Sequence, residues 1–146
     1  MNSFAPAYLF CSPSRSTRMM VLDHPVAPTT VLVVEDEMLL RMRAVDMVED
    51  AGYISVEAVD AEAAFAILES RPGIGLLFTD IQMPGKMDGL QLAHAVHERW
   101  PAIKIILVSG QLKLSERDIP PSSRFFCKPL QADEMIAEMQ NMIGHA

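Results

Sequence analysis

The chain has few of the features that would place it in several large classes of protein. Its 146 residues include two cysteines, Cys11 and Cys127, which are too few for a disulfide scaffold and favour a reducing, cytoplasmic compartment. No apolar run approaches the roughly 20 residues that a membrane-spanning helix needs. Lys and Arg number 12 against 19 Asp and Glu, and the net charge of −7 argues against direct DNA binding. The length favours a single domain. The lack of a long apolar run and the negative charge predict that this domain has neither a membrane nor a nucleic acid as its partner.

The first 28 residues differ in composition from the rest. They hold four of the ten prolines, several serines and no periodic pattern of apolar residues. Such a segment cannot maintain a helix or a paired strand over any length. We therefore predict a disordered N-terminal extension over residues 1–28 and one folded domain over residues 29–146.

Four short apolar runs each end on a reactive polar side chain. Runs of this length, bounded by polar or turn residues, indicate strands buried on both faces of a parallel sheet. Because the ligand site of an open α/β sheet lies outside the carboxyl ends of its strands, these polar groups should converge at one end of the sheet. The runs are Val31–Val34 before Glu35 and Asp36, Leu76–Phe78 before Thr79 and Asp80, Ile105–Val108 before Ser109 and Gly110, and Phe125–Cys127 before Lys128 and Pro129.

Most segments between these runs carry apolar residues at helical spacing, which predicts helices there. Gly52 would end the first helix as a left-handed cap, and Asp60 would cap the start of the second. With a further strand at Tyr53–Ala58, the alternation predicts an α/β fold with a doubly wound, five-stranded parallel sheet. The predicted helices and their stripes are Met38–Asp50 with Leu39, Met42, Val45 or Ala44, and Val48; Ala61–Glu69 with Ala64, Phe65 and Leu68; Leu90–Arg99 with Ala93, Val96 and Trp100; and a last helix with Ala132, Ile136, Met139 and Ile143.

The segment Gln111–Arg124 interrupts this regular alternation. Residues Leu112–Arg117 are enough for about two helical turns, but Pro120 and Pro121 prevent the helix from extending further. Proline lacks the backbone N–H of a helix interior, and its ring collides with the preceding turn. We predict a short or irregular fourth helix in this segment.

The carboxylate of Asp80 is the candidate nucleophile, because a carboxylate can attack phosphorus and form an acyl phosphate. That transfer needs a metal to neutralise the phosphoryl oxygens, and Mg²⁺ prefers oxygen ligands. Glu35, Asp36 and Asp80 would supply carboxylates, and Gln82 would supply its backbone carbonyl. Local sequence equally permits a second interpretation, in which Glu35, Asp36 and Glu37 only form an acidic first turn of the following helix.

Ser109 and Lys128 would complete the site at two further strand ends. The Ser109 hydroxyl would bond a phosphoryl oxygen, and the Lys128 ammonium would lie over that group or over Asp80. Taken singly, a serine after a strand is usually a turn residue, and a lysine is usually a solvated surface charge. Their position at the ends of predicted neighbouring strands is what favours the functional interpretation.

Four motifs in this order, VLVVEDE, FTDIQMPGKMDG, LVSG and FFCKPL, resemble the receiver domain of bacterial two-component response regulators. The resemblance covers roughly Thr30 to Ile143, which leads us to expect a stand-alone receiver without an output domain. It implies a flavodoxin-like sheet, Mg²⁺ dependence and phosphate received from a histidine kinase or phosphotransfer protein, with an unknown protein downstream. It further implies no enzymatic activity beyond self-phosphorylation and self-dephosphorylation. By the same resemblance, the acidic pair is Glu35 and Asp36 and the phospho-acceptor is Asp80. The switch hydroxyl is that of Ser109, the lysine of the family pattern is Lys128, and the aromatic residue that rotates on activation is Phe125.

Three departures from the family pattern accompany the resemblance. The loop Gly85–Asp88 is one residue longer than usual, Phe125 replaces the commoner tyrosine, and the segment before Phe125 is broken by prolines. Two other functions are compatible with the residues. One is a receiver-like docking domain that takes no phosphate. The other is a phosphohydrolase with an aspartyl nucleophile, which is disfavoured because Gln82 stands where such enzymes carry a second acid.

Overall fold

The computed structural model describes residues 28–111 and 114–144. The disorder predicted for residues 1–28 therefore falls almost entirely outside the described residues. Among the described residues, no helix has the length and apolar character needed to cross a membrane. The strands are β1 (Thr30–Val34), β2 (Ile54–Ala58), β3 (Ile74–Asp80), β4 (Lys104–Ser109) and β5 (Ser123–Cys127), and the helices are α1 (Met38–Asp50), α2 (Ala61–Ser70), α3 (Gly89–Arg99) and α4 (Ala132–Ile143).

The strands form one parallel sheet in the order β2-β1-β3-β4-β5. This arrangement confirms the predicted doubly wound, five-stranded, flavodoxin-like fold. The order changes direction at β1, because the chain moves outward to β2 and then crosses back to β3 on the other side of β1. The register pairs Val34 with Thr79 and Ser109 with Cys127. The polar residues that follow β1, β3, β4 and β5 consequently meet at one end of the sheet.

The sheet is covered on both faces, and alternate strand residues supply two separate core clusters. Leu32, Leu77 and Ile105 face α2 and α3, whereas Val33, Phe78 and Ile106 face α1 and α4. Side chains of this kind each stabilise the fold by about 1.5–3 kcal/mol when fully buried. The apolar runs of β1, β3 and β4 thus correspond to strands with both faces buried, as predicted. The same prediction is wrong for Phe125–Cys127, because β5 is an edge strand in which both phenylalanines are half-buried and Cys127 is exposed.

The predicted apolar stripe of α1 is only partly correct. Leu39 and Met42 are 64% and 54% exposed, and the buried residues of this helix are Ala44, Met47 and Val48. These three positions follow i, i+3, i+4 spacing and contact the sheet through the C-terminal half of the helix. Apolar residues occur on more than one face of α1, so spacing alone did not identify the face that packs.

The last helix shows a smaller discrepancy of the same kind. Met135 and Met139 are fully buried, whereas Ala132, predicted to belong to the stripe, is exposed. Ile136 and Ile143 are half-buried and pack against the cluster on that face. The stripe is therefore centred on two flexible methionines, which adapt their shape to an irregular gap.

Both predicted cap residues are confirmed. Gly52 follows α1 with φ +97°, a left-handed conformation that glycine adopts without steric cost. The Asp60 side chain accepts a hydrogen bond from the Ala63 backbone N–H at 2.8 Å at the start of α2. Helix α3 has an additional capping box, in which Asp88 and Gln91 each accept from the other's backbone N–H.

The connection between β4 and β5 departs from the prediction of a short or irregular fourth helix, because the irregularity extends over all of its described residues. Its described residues, 110–111 and 114–122, contain a turn but no helix. Within the turn the Ser115 backbone N–H donates to Asp118 Oδ2 at 2.9 Å, and His94 Nε2 on α3 lies 2.9 Å from the Asp118 carbonyl oxygen. Leu114 and Ile119 pack against the core, so this connection covers part of the sheet without forming regular structure.

Candidate functional site

Three carboxylates meet at the ends of β1 and β3. One oxygen each from Glu35, Asp36 and Asp80 lies within 4.8 Å of the others. Glu35 and Asp80 are both 5% exposed, whereas Asp36 is open to solvent. Strands β1 and β3 are hydrogen-bonded neighbours, which explains how Asp80 comes to lie beside two residues that precede it by 45 and 44 positions. The predicted acidic cluster is therefore present.

Lys128 enters this cluster from the end of β5. Its Nζ lies 3.2 Å from Glu35 Oε1 and 3.2 Å from Asp80 Oδ1. Its backbone N–H donates to the Ser109 carbonyl oxygen at 2.9 Å, which fixes the end of β5 against β4. The ammonium thus bridges two carboxylates that would otherwise repel each other.

The pKa values of the ionisable groups in the site are shifted by burial and by the neighbouring charges. Burial raises the pKa of the Asp80 carboxyl group, and the nearby Lys128 charge opposes this increase only in part. Burial also raises the pKa of Glu35, against the backbone N–H of Glu37, and repulsion from Asp80 adds to the increase. Burial lowers the pKa of the Lys128 ammonium, but attraction to Asp80 and Glu35 outweighs it, so that pKa is raised. One ammonium does not fully compensate the two buried carboxylates.

Ser109 is the last residue of β4, the strand that lies between β3 and β5 in the sheet. It is fully buried, and its hydroxyl donates to Gln82 Oε1 at 2.7 Å. The same hydroxyl oxygen accepts from the Gln111 backbone N–H at 3.2 Å. The sequence predicted a role for the backbone of Gln82 but not for its side chain.

Phe125, the remaining predicted residue, lies in β5 and pairs with Leu107 of β4. It is half-buried and packs against the core cluster that faces α2 and α3. Phe125 therefore shares a core cluster with Leu114 and Ile119 of the irregular β4–β5 connection.

Two residues that support the site were missed in the sequence. On α1, Arg41 Nη1 donates to the Glu35 carbonyl oxygen at 2.9 Å, and its Nε lies 3.0 Å from Glu57 Oε1 on β2. Gly89 begins α3 against the β3 end, where an added Cβ would overlap the Asp80 carbonyl oxygen and lie 2.7 Å from the Asp80 carbonyl carbon. No local pattern marks Arg41, and Gly89 lies one residue before the helix that the sequence predicts from Leu90.

The residues present fit a divalent, oxygen-preferring cation. All three side-chain donors are carboxylates, the ligand type that suits Mg²⁺. Asp80 Oδ1 is buried and, although Lys128 Nζ is 3.2 Å away, it receives no aligned hydrogen bond within the described part of the chain. An incompletely compensated carboxylate beside two others is the environment that a cation stabilises.

Comparison with known proteins identifies the family. The model of the response regulator receiver domain matches residues 31–140. The response regulator receiver protein CpdR of Brucella abortus is 30% identical over 116 residues, covering 77% of this chain and 95% of CpdR. The sensor kinase CckA of the same organism is 32% identical over 118 residues, which cover 78% of this chain but only 12% of CckA.

A solved structure shows the same fold. The response regulator protein TrrA of Thermotoga maritima, crystallised in complex with Mg²⁺-BeF, has a TM-score of 0.68 and 25% sequence identity, covering 78% of this chain and 98% of TrrA. The sheet order, the acidic strand ends and these matches agree with one another. The chain belongs to the response regulator receiver domain family, whose members are signalling domains of two-component systems.

Proposed function

We propose that this receiver accepts a phosphoryl group on Asp80 and signals through protein contacts or passes the group onward. The observation that supports this most directly is the position of the Asp80 carboxylate, which lies 3.2 Å from the Lys128 ammonium and next to Glu35 and Asp36. Burial and crowding raise its pKa, which makes it more basic than an ordinary carboxylate. A docking domain that takes no phosphate would not need to bury these charged groups, because their desolvation costs free energy.

The proposed reaction transfers a phosphoryl group from a phosphohistidine to Asp80. An Asp80 oxygen forms the new O–P bond, the P–N bond of phosphohistidine breaks, and the imidazole, which is protonated at its other ring nitrogen, keeps the electron pair and leaves as a neutral ring. Lys128 would attract the phosphoryl oxygens, and the Ser109 hydroxyl would donate to one of them. Glu35, Asp36, Asp80 and the carbonyl of Gln82 would hold Mg²⁺, which neutralises phosphoryl oxygen charge when bound.

The donor is proposed to be a histidine kinase or a phosphotransfer protein, and the output a contact with a further protein. The likeness to CpdR and to a segment of the sensor kinase CckA supports a two-component pathway. Met38, Leu39 and Met42 at the start of α1 are 61%, 64% and 54% exposed, directly after the acidic pair. A donor that brings phosphohistidine to Asp80 must cover the start of α1, so we assign these three side chains to the surface that contacts the donor.

Incubation with Mg²⁺ and acetyl phosphate, followed by mass spectrometry, tests the proposed function. One phosphoryl group on Asp80 is the expected result, because acetyl phosphate is a small donor that needs no partner protein. A protein that remains unmodified in the presence of Mg²⁺ would favour the docking domain. Continuous release of phosphate from small phosphorylated substrates would favour the hydrolase.

Asp36→Ala is expected to weaken Mg²⁺ binding by about tenfold or more, since it removes one of three clustered carboxylates. Isothermal titration calorimetry is the suitable measurement. Asp46→Ala is the matched control, because Asp46 is an exposed aspartate of α1 outside the cluster. Equal affinities of the two variants would contradict the assignment of the metal ligands.

Phosphorylation is expected to change the connection before β5 more than any other described segment. Drawing Ser109 toward a phosphoryl oxygen frees space beneath that connection, and Phe125 is the large side chain placed to fill it. Residues 114–126 contain an irregular turn and a short edge strand, so they have little regular structure to resist the change.

Hydrogen exchange with and without Mg²⁺ and beryllofluoride, a phosphoryl mimic, measures this effect. The largest change in protection should lie between Gly110 and Phe126, and the same addition to Asp80→Asn should produce none. Equal exchange of this segment in both states, with Asp80 fully occupied, would exclude the switch and favour a simple phosphate relay.

A further inference from the structure

The side chain of Gln82 engages the hydroxyl group that the proposed reaction requires. We propose, on the basis of the proposed function, that Gln82 is a positioning residue for Ser109. Its side chain holds the Ser109 hydroxyl in the orientation of the unphosphorylated protein, and phosphoryl binding is opposed until the hydrogen bond between the two side chains breaks. The bond spans the ends of β3 and β4, from Ser109 Oγ to Gln82 Oε1 at 2.7 Å. Gln82 follows Asp80 by two positions, so this contact lies beside the acceptor carboxylate.

The chemistry of a hydroxyl makes the two states exclusive. A serine carries one O–H donor, and the bond to Gln82 already has the length of a well-formed O–H···O hydrogen bond. An amide oxygen and a phosphoryl oxygen are both acceptors, so the single proton serves one of them at a time. Ser109 is fully buried, which removes solvent as an easy replacement partner. Binding a phosphoryl group therefore costs the bond to Gln82.

The acceptor side of the same hydroxyl links this change to the β4–β5 connection. The Gln111 backbone N–H donates to Ser109 Oγ at 3.2 Å, two residues past the end of β4. When the hydroxyl leaves Gln82 by a movement of Oγ toward Asp80, this second bond stretches or breaks as well. The Gln82 side chain thus stabilises the resting position of the Gln111 backbone through Ser109.

The length of the side chain fits this role. Gln82 is itself exposed, yet its amide reaches back to a buried hydroxyl across the strand ends. Methionine has nearly the same length and shape but offers no comparable acceptor. Gln82→Met therefore removes the hydrogen bond and keeps most of the bulk, which separates the bond from steric shielding of Asp80.

Binding of beryllofluoride in the presence of Mg²⁺, measured by calorimetry, tests the proposal in four proteins: the natural chain, Gln82→Met, Ser109→Ala and the double variant. Gln82→Met should bind the mimic about two- to tenfold more tightly than the natural chain, the range that one net hydrogen bond contributes. The double variant should bind no more tightly than Ser109→Ala. This dependence on Ser109 is a coupling that a general structural effect of residue 82 would not produce.

The outcomes distinguish the inference from the proposed function. Affinity of Gln82→Met equal to or below that of the natural chain would overturn the inference, and so would an equal gain in the Ser109→Ala background. Failure of the natural chain to bind beryllofluoride would overturn the proposed function, and the inference with it. Far-ultraviolet circular dichroism checks the fold of each variant, and the exposed position of Gln82 leads us to expect no loss of structure.

Discussion

Asp80→Asn is expected to abolish phosphoryl uptake from acetyl phosphate while the fold survives. The amide has nearly the shape of the carboxylate but lacks the anionic oxygen that attacks phosphorus. Lys128 keeps an ion partner in this variant, because Glu35 Oε1 also lies 3.2 Å from its Nζ. Mass spectrometry of the intact protein and of its peptides measures the uptake, and circular dichroism measures the fold.

Asp60→Asn is the matched control for this experiment. It makes the same chemical change at the N-cap of α2, where asparagine caps a helix as well as aspartate does. This variant should be labelled as the natural chain is. A phosphoryl group that persists at another residue of Asp80→Asn would show that Asp80 is not the acceptor.

Gly89→Ala is expected to lower the free energy of unfolding by about 1–3 kcal/mol and to reduce phosphoryl uptake as well. The added Cβ would overlap the Asp80 carbonyl oxygen and would lie 2.8 Å from Ile81 Cα. These are backbone atoms, which cannot rotate away as a flexible side chain does. The strand end that carries Asp80 must therefore move. Urea unfolding followed by circular dichroism measures the loss.

Gly110→Ala provides the control, since Gly110 also lies beside the site. A Cβ there would be 3.8 Å from Lys128 Cβ, an ordinary van der Waals distance. We expect its stability to change by less than about 1 kcal/mol. If Gly89→Ala is as stable as Gly110→Ala, the end of β3 is not constrained by α3 in the way the packing indicates.

The sequence predicted the features that depend on short-range pattern. Runs such as Val31–Val34 mark buried strands because both faces of a parallel strand are apolar, and a polar residue at the end of each run marks the ligand edge. Together these two rules predict that Glu35, Asp80 and Lys128 lie at the same edge of the sheet. The cap at Asp60 followed from an equally local rule.

The features that the sequence missed depend on where side chains meet in three dimensions. The packed face of α1 was misassigned in part because Leu39 and Ala44 are both apolar, and only contact with the sheet selects between them. The Arg41 bond to the Glu35 carbonyl and the Gln82 bond to Ser109 join elements that no spacing rule relates. Contacts of this type become visible only when the strand order and the loop conformations are known.

The parallel sheet described above also fixes when during folding the site comes into existence. Parallel neighbours are joined by long crossovers, so each pairing requires the closure of a large loop. Glu35 and Lys128, whose side chains bond at 3.2 Å, are 93 positions apart in the chain. The carboxylates can gather once β1 and β3 have paired, but their counter-charge arrives only with the last strand. A nascent chain that has not yet delivered β5 thus has crowded acidic groups without Lys128, and the phosphate acceptance that we propose would be a property of the completed domain alone.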